Sequence, residues 1–479
     1  MNQDETLALW KQGKEVWNDW AQKMLAERKA LEDKGEWDVN VAPWGEHPQN
    51  EITQKWFEDA RAVFSSKETP HLFPDATSFQ GWLFPSVSEW NAATFMGKAR
   101  FDSATFEGNA DFDSATFKGE GRFDSATFEG NADFNSAEFK GVAGFNSATF
   151  EGVAKFDSAT FEHDADFDSA TFNGHAWFIS ATFKDVAWFN SATFEHDADF
   201  DSTTFNGHAW FVSATFKDVA WFNGATFERD AEFNSVCFEK PTRFSDARFN
   251  TNASFNSAQI KQAFDLSGAR FKEVPDFRQT HCEEAPLLDD VHIDSTVIKQ
   301  RKSSHYPDFT VIANYRALKR LAIQGHDHKH EVEFFAEELR SKRLLVDKRW
   351  HWDWILSGIF QITSDYGRSI LRPLLFWLLI VGLSATSYLL TAKQSMDKVA
   401  LQCVKGEGWQ WVSAIQLAIG KGLLFPGIAD RTLIMQAYDC LYGDTIPTLT
   451  SAALGLQTLL SSALLFLILL GIRNRFKLK

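Results

Sequence analysis

From residue 79 to about residue 293 the chain keeps one apolar beat. Phe79, Phe84, Trp90, Phe95, Phe101, Phe106, Phe112, Phe117, Phe123 and Phe128 are spaced alternately by five and six residues. An Ala stands two positions before most of these rings, as Ala99 does before Phe101 and Ala104 before Phe106. The unit is eleven residues, FDSATFEGNAD at 101–111, and it divides into ADFDS and ATFEGN. A mean period of 5.5 residues fits neither an amphipathic helix nor simple strand alternation. It is also too short for a helical repeat. A short strand with a tight turn at each corner is what remains. Gly108-Asn109, Gly130-Asn131 and Gly174-His175 are turn pairs, so the sixth residue of alternate units belongs at a corner. Four sides then take 22 residues. Stacked at ~4.8 Å, about ten coils make a rod on the order of 50 Å long. Phe101, Phe106, Phe112, Phe117, Phe123 and Phe128 represent its core ladder, each ring contributing ~1.5–3 kcal/mol on burial. Ile260 and Leu266 replace Phe late in the ladder, and the beat decays through Phe277, Cys282, Leu288 and Ile293.

These residues resemble the pentapeptide-repeat family, whose pattern is A(D/N)(L/F)xx. The resemblance runs over 79–293 and departs from the family only in the sixth residue of alternate units. It implies an all-β, right-handed quadrilateral β-helix, a solenoid with one repeat per side and with Phe and Ala both pointing inward. Within it, 161–193 and 194–226 are copies that differ only at Ala170/Thr203, Ile179/Val212 and Ser191/Gly224. The block is three units, or one and a half coils. It is tolerable only if opposite halves of a coil are equivalent.

The flanks follow other periods. Residues 1–78 read as an N-terminal helical cap: Leu7, Trp10, Trp17, Trp20 and Met24 fall near helical spacing, Pro43-Trp44-Gly45 interrupts, and a second helix covers 51–64. Solenoids need such caps because the terminal unit exposes its core. The repeat domain is 79–298 and a helical hairpin linker 299–349. In the hairpin Val311, Tyr315, Leu318 and Ala322 share one face, and Val332, Phe335 and Leu339 share the other helix's face. The membrane domain is 350–479. It opens with an amphipathic, Trp-rich segment to about Ile362, fit for a membrane surface. Residues 373–392 and 449–472 carry no charge over 20 and 24 residues, the length a bilayer requires. SDYGRSILRP at 364–373, Gln457 in the second span and the closing Arg-Asn-Arg-Phe resemble the membrane segment of a subset of bacterial pentapeptide-repeat proteins.

Charge refines the picture. The formal net charge is −16, and 95–277 holds 29 acidic and 15 basic residues. The acidity is thus concentrated on the repeat, where a nucleic-acid-binding footprint is absent; direct nucleic-acid binding is not expected. Basic residues flank both spans, so the positive-inside rule places the termini and the rod in the cytoplasm. The first ten residues lack an apolar signal core. The expected location is the inner (plasma) membrane with two spans.

Candidate chemistry is sparse. Four Cys are too scattered for a zinc site or disulfide scaffold. Cys403 and Cys440 share the external loop, where a disulfide is plausible, while Cys237 and Cys282 stay reduced. His326, His328 and His330 alternate in a solvated turn. No phosphate loop, GxSxG or HExxH occurs, so no catalytic residue, metal or cofactor is expected. The repeated Asp and Glu read as a solvated acidic surface. Tyr442, Gly443, Asp444 and Pro447 echo the end of a potassium-channel filter, but Asp439-Cys440-Leu441 precedes them in place of Thr-Val-Gly, and carbonyl selectivity needs that run. The reading is a membrane-anchored scaffold, not an enzyme. It presents an acidic rod to an unknown cytoplasmic protein, contacts the lipid bilayer and admits homo-oligomers through its spans. Two other readings stay open: a channel-like protein with the rod as sensor, and, as the family resemblance implies, a DNA mimic that occupies a topoisomerase.

Overall fold

A computed structural model describes residues 1–42, 45–294, 309–346, 351–393, 409–423, 431–442 and 448–476. The chain forms two compact units, Met1–Arg301 and Lys302–Lys479.

The first unit is a parallel β-solenoid built from two-residue strands. Its four sheets are its four sides. In chain order the first side holds eleven strands, from Leu72–Phe73 to His292–Ile293, and the second nine, from Thr77–Ser78 to Ala253–Ser254. The third holds ten, from Leu83–Phe84 to His281–Cys282, and the fourth ten, from Ala62–Ser65 to Phe264–Asp265. Every register joins residue i to i+22, as Thr105 to Thr127 and Ala110 to Ala132. The coil is therefore 22 residues, the length that the alternating spacing predicts. The first and third sides are Thr-Phe strands and the second and fourth are Ala-X strands, so opposite sides are alike.

Both Phe and Ala of the ladder point inward and have no exposed surface. Phe stacks on Phe along each side: Phe101 and Phe123 lie 4.7 Å apart with planes 2° from parallel. Across the interior the rings meet edge to face, as Phe101 does Phe112 at 5.4 Å and 86°. Both geometries suit the ring quadrupole. The one buried hydroxyl difference between the two copies is accommodated: Thr203 Oγ1 donates to the Phe178 carbonyl at 2.7 Å.

Two corner types alternate. In the short one, Phe101-Asp102-Ser103-Ala104, the Ala104 N–H donates to the Phe101 carbonyl at 3.0 Å and Ser103 has φ +54°. The same left-handed Ser recurs at 114, 125, 136 and 147, and the position is Gly at 224 and 268. In the long corner the extra residue sits where the Gly-Asn pairs predict it. A Cβ on Gly108 would come within 2.5 Å of the Ser86 backbone, so the close approach of coils there requires glycine.

The amino-terminal end is closed by α1 (Gln3–Trp10) and α2 (Lys14–Lys34), followed by a hairpin of β1 (Val39–Ala42) and β2 (Gly45–Pro48) and by α3 (Glu51–Ala60). Trp17 of α2 is fully buried against Phe64, Trp82 and Phe84, and its indole N–H donates to the Leu83 carbonyl at 2.8 Å. Asn18 bonds the Gly81 carbonyl and the Leu83 N–H of the same edge, which leaves it closed to further strands. The helix expected over 51–64 stops at Ala60. Arg61 is extended, and Phe64 already belongs to the ladder, stacked on Trp90 at 3.9 Å and 6°. The sheets thus begin before residue 79.

The second unit is helical: α4 (Phe309–Gln324), α5 (His328–Leu345), α6 (Trp352–Ser364), α7 (Leu371–Lys393), α8 (Trp409–Gly422), α9 (Arg431–Tyr442) and α10 (Thr448–Phe476). Val311, Tyr315, Leu318 and Ala322 form the buried face of α4, as expected. On α5 the buried face runs instead through His330, Phe334, Glu338 and Ser341. The reason is polar: Glu338 bonds Arg316 at 3.0 Å and Lys319 at 2.5 Å, both on α4. Two helices are long and apolar enough to cross a membrane by length and composition, Leu371–Ala392 and Thr450–Arg475.

Candidate interaction surface

With Phe and Ala inside, the rod's chemistry lies in outward columns repeating every 22 residues. Between coils, many acidic side chains are paired: Lys184 with Glu162 and Lys217 with Glu195, each at 2.7 Å, and Lys261 with Glu239 at 2.8 Å. Corner Asp and Asn residues do structural work that sequence reasoning missed. Asp157 Oδ1 accepts the Ile179 N–H at 3.0 Å, Asp168 that of Asn190 at 2.7 Å, and Asp201 that of Asn223 at 2.7 Å. These carboxylates cap the backbone of the next coil, so they are not simply a solvated surface. Burial pushes Asp157 and Asp168 above the usual carboxylate range, against the pull of those hydrogen bonds. The signal was available in sequence as Asp or Asn before almost every corner Ser.

The duplicated block adds aromatic rows. On the fourth side Trp177, Asp199 and Trp221 occupy one column on successive coils. His175 and Ile179 flank the first, Asp197 and Asp201 the second, and Val219 and Asn223 the third. The second side receives the same rows in another order. There Asp166 neighbours Trp188, and Trp188 neighbours Trp210 with centroids 6.0 Å apart. All four indoles are half-buried. A 33-residue shift of one and a half coils exchanges sides, so the copies do not build one surface twice.

The family profile described as pentapeptide repeats (9 copies) matches residues 91–138, 134–182, 156–204 and 189–236. The rod is a pentapeptide-repeat solenoid. No curated protein and no solved structure matches the chain.

Within the pentapeptide-repeat rod, His175 lies 3.5 Å from Asp197 and His208 3.9 Å from Asp230, loose contacts at the surface. Cys237 and Cys282 are free thiols, the first half-buried and raised in pKa chiefly by that burial. Among the described residues, no group of three or more His, Cys, Asp or Glu side chains is placed to hold a metal. In the second unit the His-rich turn is a helix start: Asp327 accepts the His330 N–H at 3.1 Å and its other oxygen bonds His330 Nδ1 at 2.5 Å. Cys440 is disulfide-bonded. Cys403, Gly443, Asp444 and Pro447 lie outside the described residues. Tyr442 is buried at the end of α9, its hydroxyl donating to the Tyr388 carbonyl at 2.9 Å. The two tail motifs meet. In SDYGR, Asp365, Tyr366 and Gly367 are consecutive left-handed residues at φ +50°, +56° and +84°, and Asn474 Nδ2 of RNRF donates to the Gly367 carbonyl at 3.2 Å.

Proposed function

We propose that this chain is a membrane-anchored scaffold whose pentapeptide-repeat rod presents its outward columns to a protein partner. The observation that carries this reading is the division of labour within the rod. The interior is filled with Phe and Ala, and chemical variety is confined to the outside. A straight β side with periodic charges and indoles suits recognition of another macromolecule rather than catalysis. Anchoring rests on α7 and α10, and α6 adds to it: Trp352, Leu356, Ile359 and Ile362 are each at least half exposed, an apolar stripe suited to the bilayer interface. Basic residues beside the spans favour the inner membrane with the rod and both termini on the cytoplasmic side. Cys440 with Cys403 would then close the external loop. Crosslinking in intact cells with the rod as bait, followed by membrane fractionation, tests the reading. Recovery of the full-length chain in the soluble fraction, or a rod that captures no protein, overturns it.

A channel-like role is the second reading. It is favoured by the two short helices α8 and α9 between the apolar ones, and by polar Gln457 buried in α10. Ion flux through liposomes carrying the full-length chain, lost on removal of residues 449–479, supports it. Absence of flux removes it.

A further inference from the structure

We propose that the column of Trp177, Asp199 and Trp221 on the fourth side of the rod docks an arginine- or lysine-bearing segment of a protein partner, with the cation on the Asp199 carboxylate between the two indoles. The proposal rests on the reading of the rod as an interaction scaffold and names the partner's chemistry. Three features of the column carry it.

First, the register is fixed by strand pairing: Trp177 opposes Asp199 and Asp199 opposes Trp221. The indoles are therefore two coils apart, roughly 10 Å, with one carboxylate midway. Indole faces attract cations, arginine above all.

Second, Asp199 is short of positive charge. One of its oxygens accepts the Asp201 N–H at 2.9 Å. No Lys, Arg or His among the described residues forms an ion pair with it, whereas Asp133, Glu162, Glu195 and Glu239 all have one. Its row neighbours are two more carboxylates, Asp197 and Asp201. Burial between the indole rows, with Asp201, Asp157 and Asp197 nearby, raises its pKa. The charge a partner must bring is thus positive.

Third, the same column already holds cations where the sequence supplies them. Lys155, one coil before Trp177, lies 5.9 Å from that ring while pairing with Asp133 at 3.4 Å. Arg243 follows Trp221. The missing position in the run Lys155, Trp177, Asp199, Trp221, Arg243 is a cation over the central acid. A free ammonium ion would be held from one direction only on a straight β side. A peptide segment crossing it also covers Ile179 and Val219, which favours a protein partner.

The opposite side is an internal control. Asp166 has Trp188 on one flank but Gly144 on the other, so it lacks the two-indole arrangement. The test uses the full-length protein in detergent, titrated with a short peptide of alternating arginine and glycine, with indole fluorescence as readout. Tetramethylammonium chloride is titrated separately. Asp199→Asn weakens peptide binding about tenfold or more, Trp221→Ala does the same, and Asp166→Asn changes it less than about twofold. Asn retains the acceptor for the Asp201 N–H, so the fold is kept. Equal binding by Asp199→Asn, or equal loss in Asp166→Asn, overturns the proposal, since the attraction is then diffuse. Tetramethylammonium binding as tightly as the peptide, with the same Asp199 dependence, overturns the protein-segment occupant. The two readings fail separately. If crosslinks to a cellular partner persist in Asp199→Asn, the docking site fails and the scaffold stands. If no partner is crosslinked yet the peptide binds through Asp199, the site stands and the scaffold reading fails.

Discussion

Phe134 and Phe156 lie face to face, centroids 5.0 Å apart and planes 1° from parallel, although 22 residues of chain separate them. Phe134 also meets Phe145 edge to face at 5.4 Å. Each ring is thus held along its own side and across the interior. Phe134→Ala is expected to cost about 3–5 kcal/mol, because a rigid stack of coils closes poorly over the cavity. A reversal of charge at Glu107 is expected to cost much less. Since each coil touches only its neighbours, the Ala variant should also split the urea transition of the rod into two steps. A single transition with an unchanged midpoint would falsify the stacked-core assignment.

Ser147 holds φ at +55° in a short corner. A branched side chain there clashes with its own backbone. Ser147→Val is expected to destabilise the rod by about 1–2 kcal/mol, whereas Ser147→Gly is expected to be neutral within about 0.5 kcal/mol, since relief of strain offsets the added freedom of the unfolded chain. The chain already uses that exchange at Gly224, which stands where the first copy has Ser191. Thermal melts of the two variants decide it.

Asp199 titrates at about 6 rather than near 3.8, chiefly because it is half-buried. The folded rod therefore holds this proton more tightly than the unfolded chain does. By linkage, the stability it confers is fully present below about pH 4 and is lost as pH rises through 6. Asp111, Asp166 and Asp168 shift in the same direction, each mainly from burial. The melting temperature of the rod should fall between about pH 4 and 6, and Asp199→Asn should flatten part of that fall and raise the melting temperature at neutral pH. A wild-type melting temperature that climbs over the same range contradicts this.

In the second unit Gln457 joins three helices: Tyr388 of α7 donates to its carbonyl oxygen, and its amide donates to the Ala418 carbonyl of α8 at 2.7 Å. Gln457→Leu leaves both partners unmatched in a buried place and is expected to cost about 1–3 kcal/mol. Thr458→Ala removes only a bond to its own helix, at the Leu454 carbonyl, and should cost less. Unfolding of the detergent-solubilised protein in sodium dodecyl sulfate, followed by Trp fluorescence, separates the two.

The ladder was legible because its period is local and dense: strand, side and coil length all follow from the spacing of Phe and Ala. The helical hairpin and the two apolar helices were legible for the same reason. What escaped was set by partners far away in sequence. Phe64 looked like the end of a helix because its stacking partner, Trp90, carries no local mark. Phe335 looked like a core residue, but the pairing of Glu338 with Arg316 and Lys319 turns α5 the other way. The contact between Gly367 and Asn474 crosses 107 residues and follows no periodicity. The surface was intermediate. Both copies of the Trp rows could be read, yet which row lies beside which became visible only with the 22-residue register.

The equivalence of opposite sides gives the molecule a parity. Each added eleven-residue unit advances the rod by half a turn. Insertions of an even number of units lengthen it and leave every downstream surface facing as before. An odd number, as in the existing tandem block, carries the whole downstream surface to the far side while the Phe interior continues unbroken. Slippage between near-identical copies of the coding sequence can therefore produce foldable descendants in a graded series of lengths, alternating in which way their distal half faces. Reach and orientation become heritable variables that change without disturbing the core.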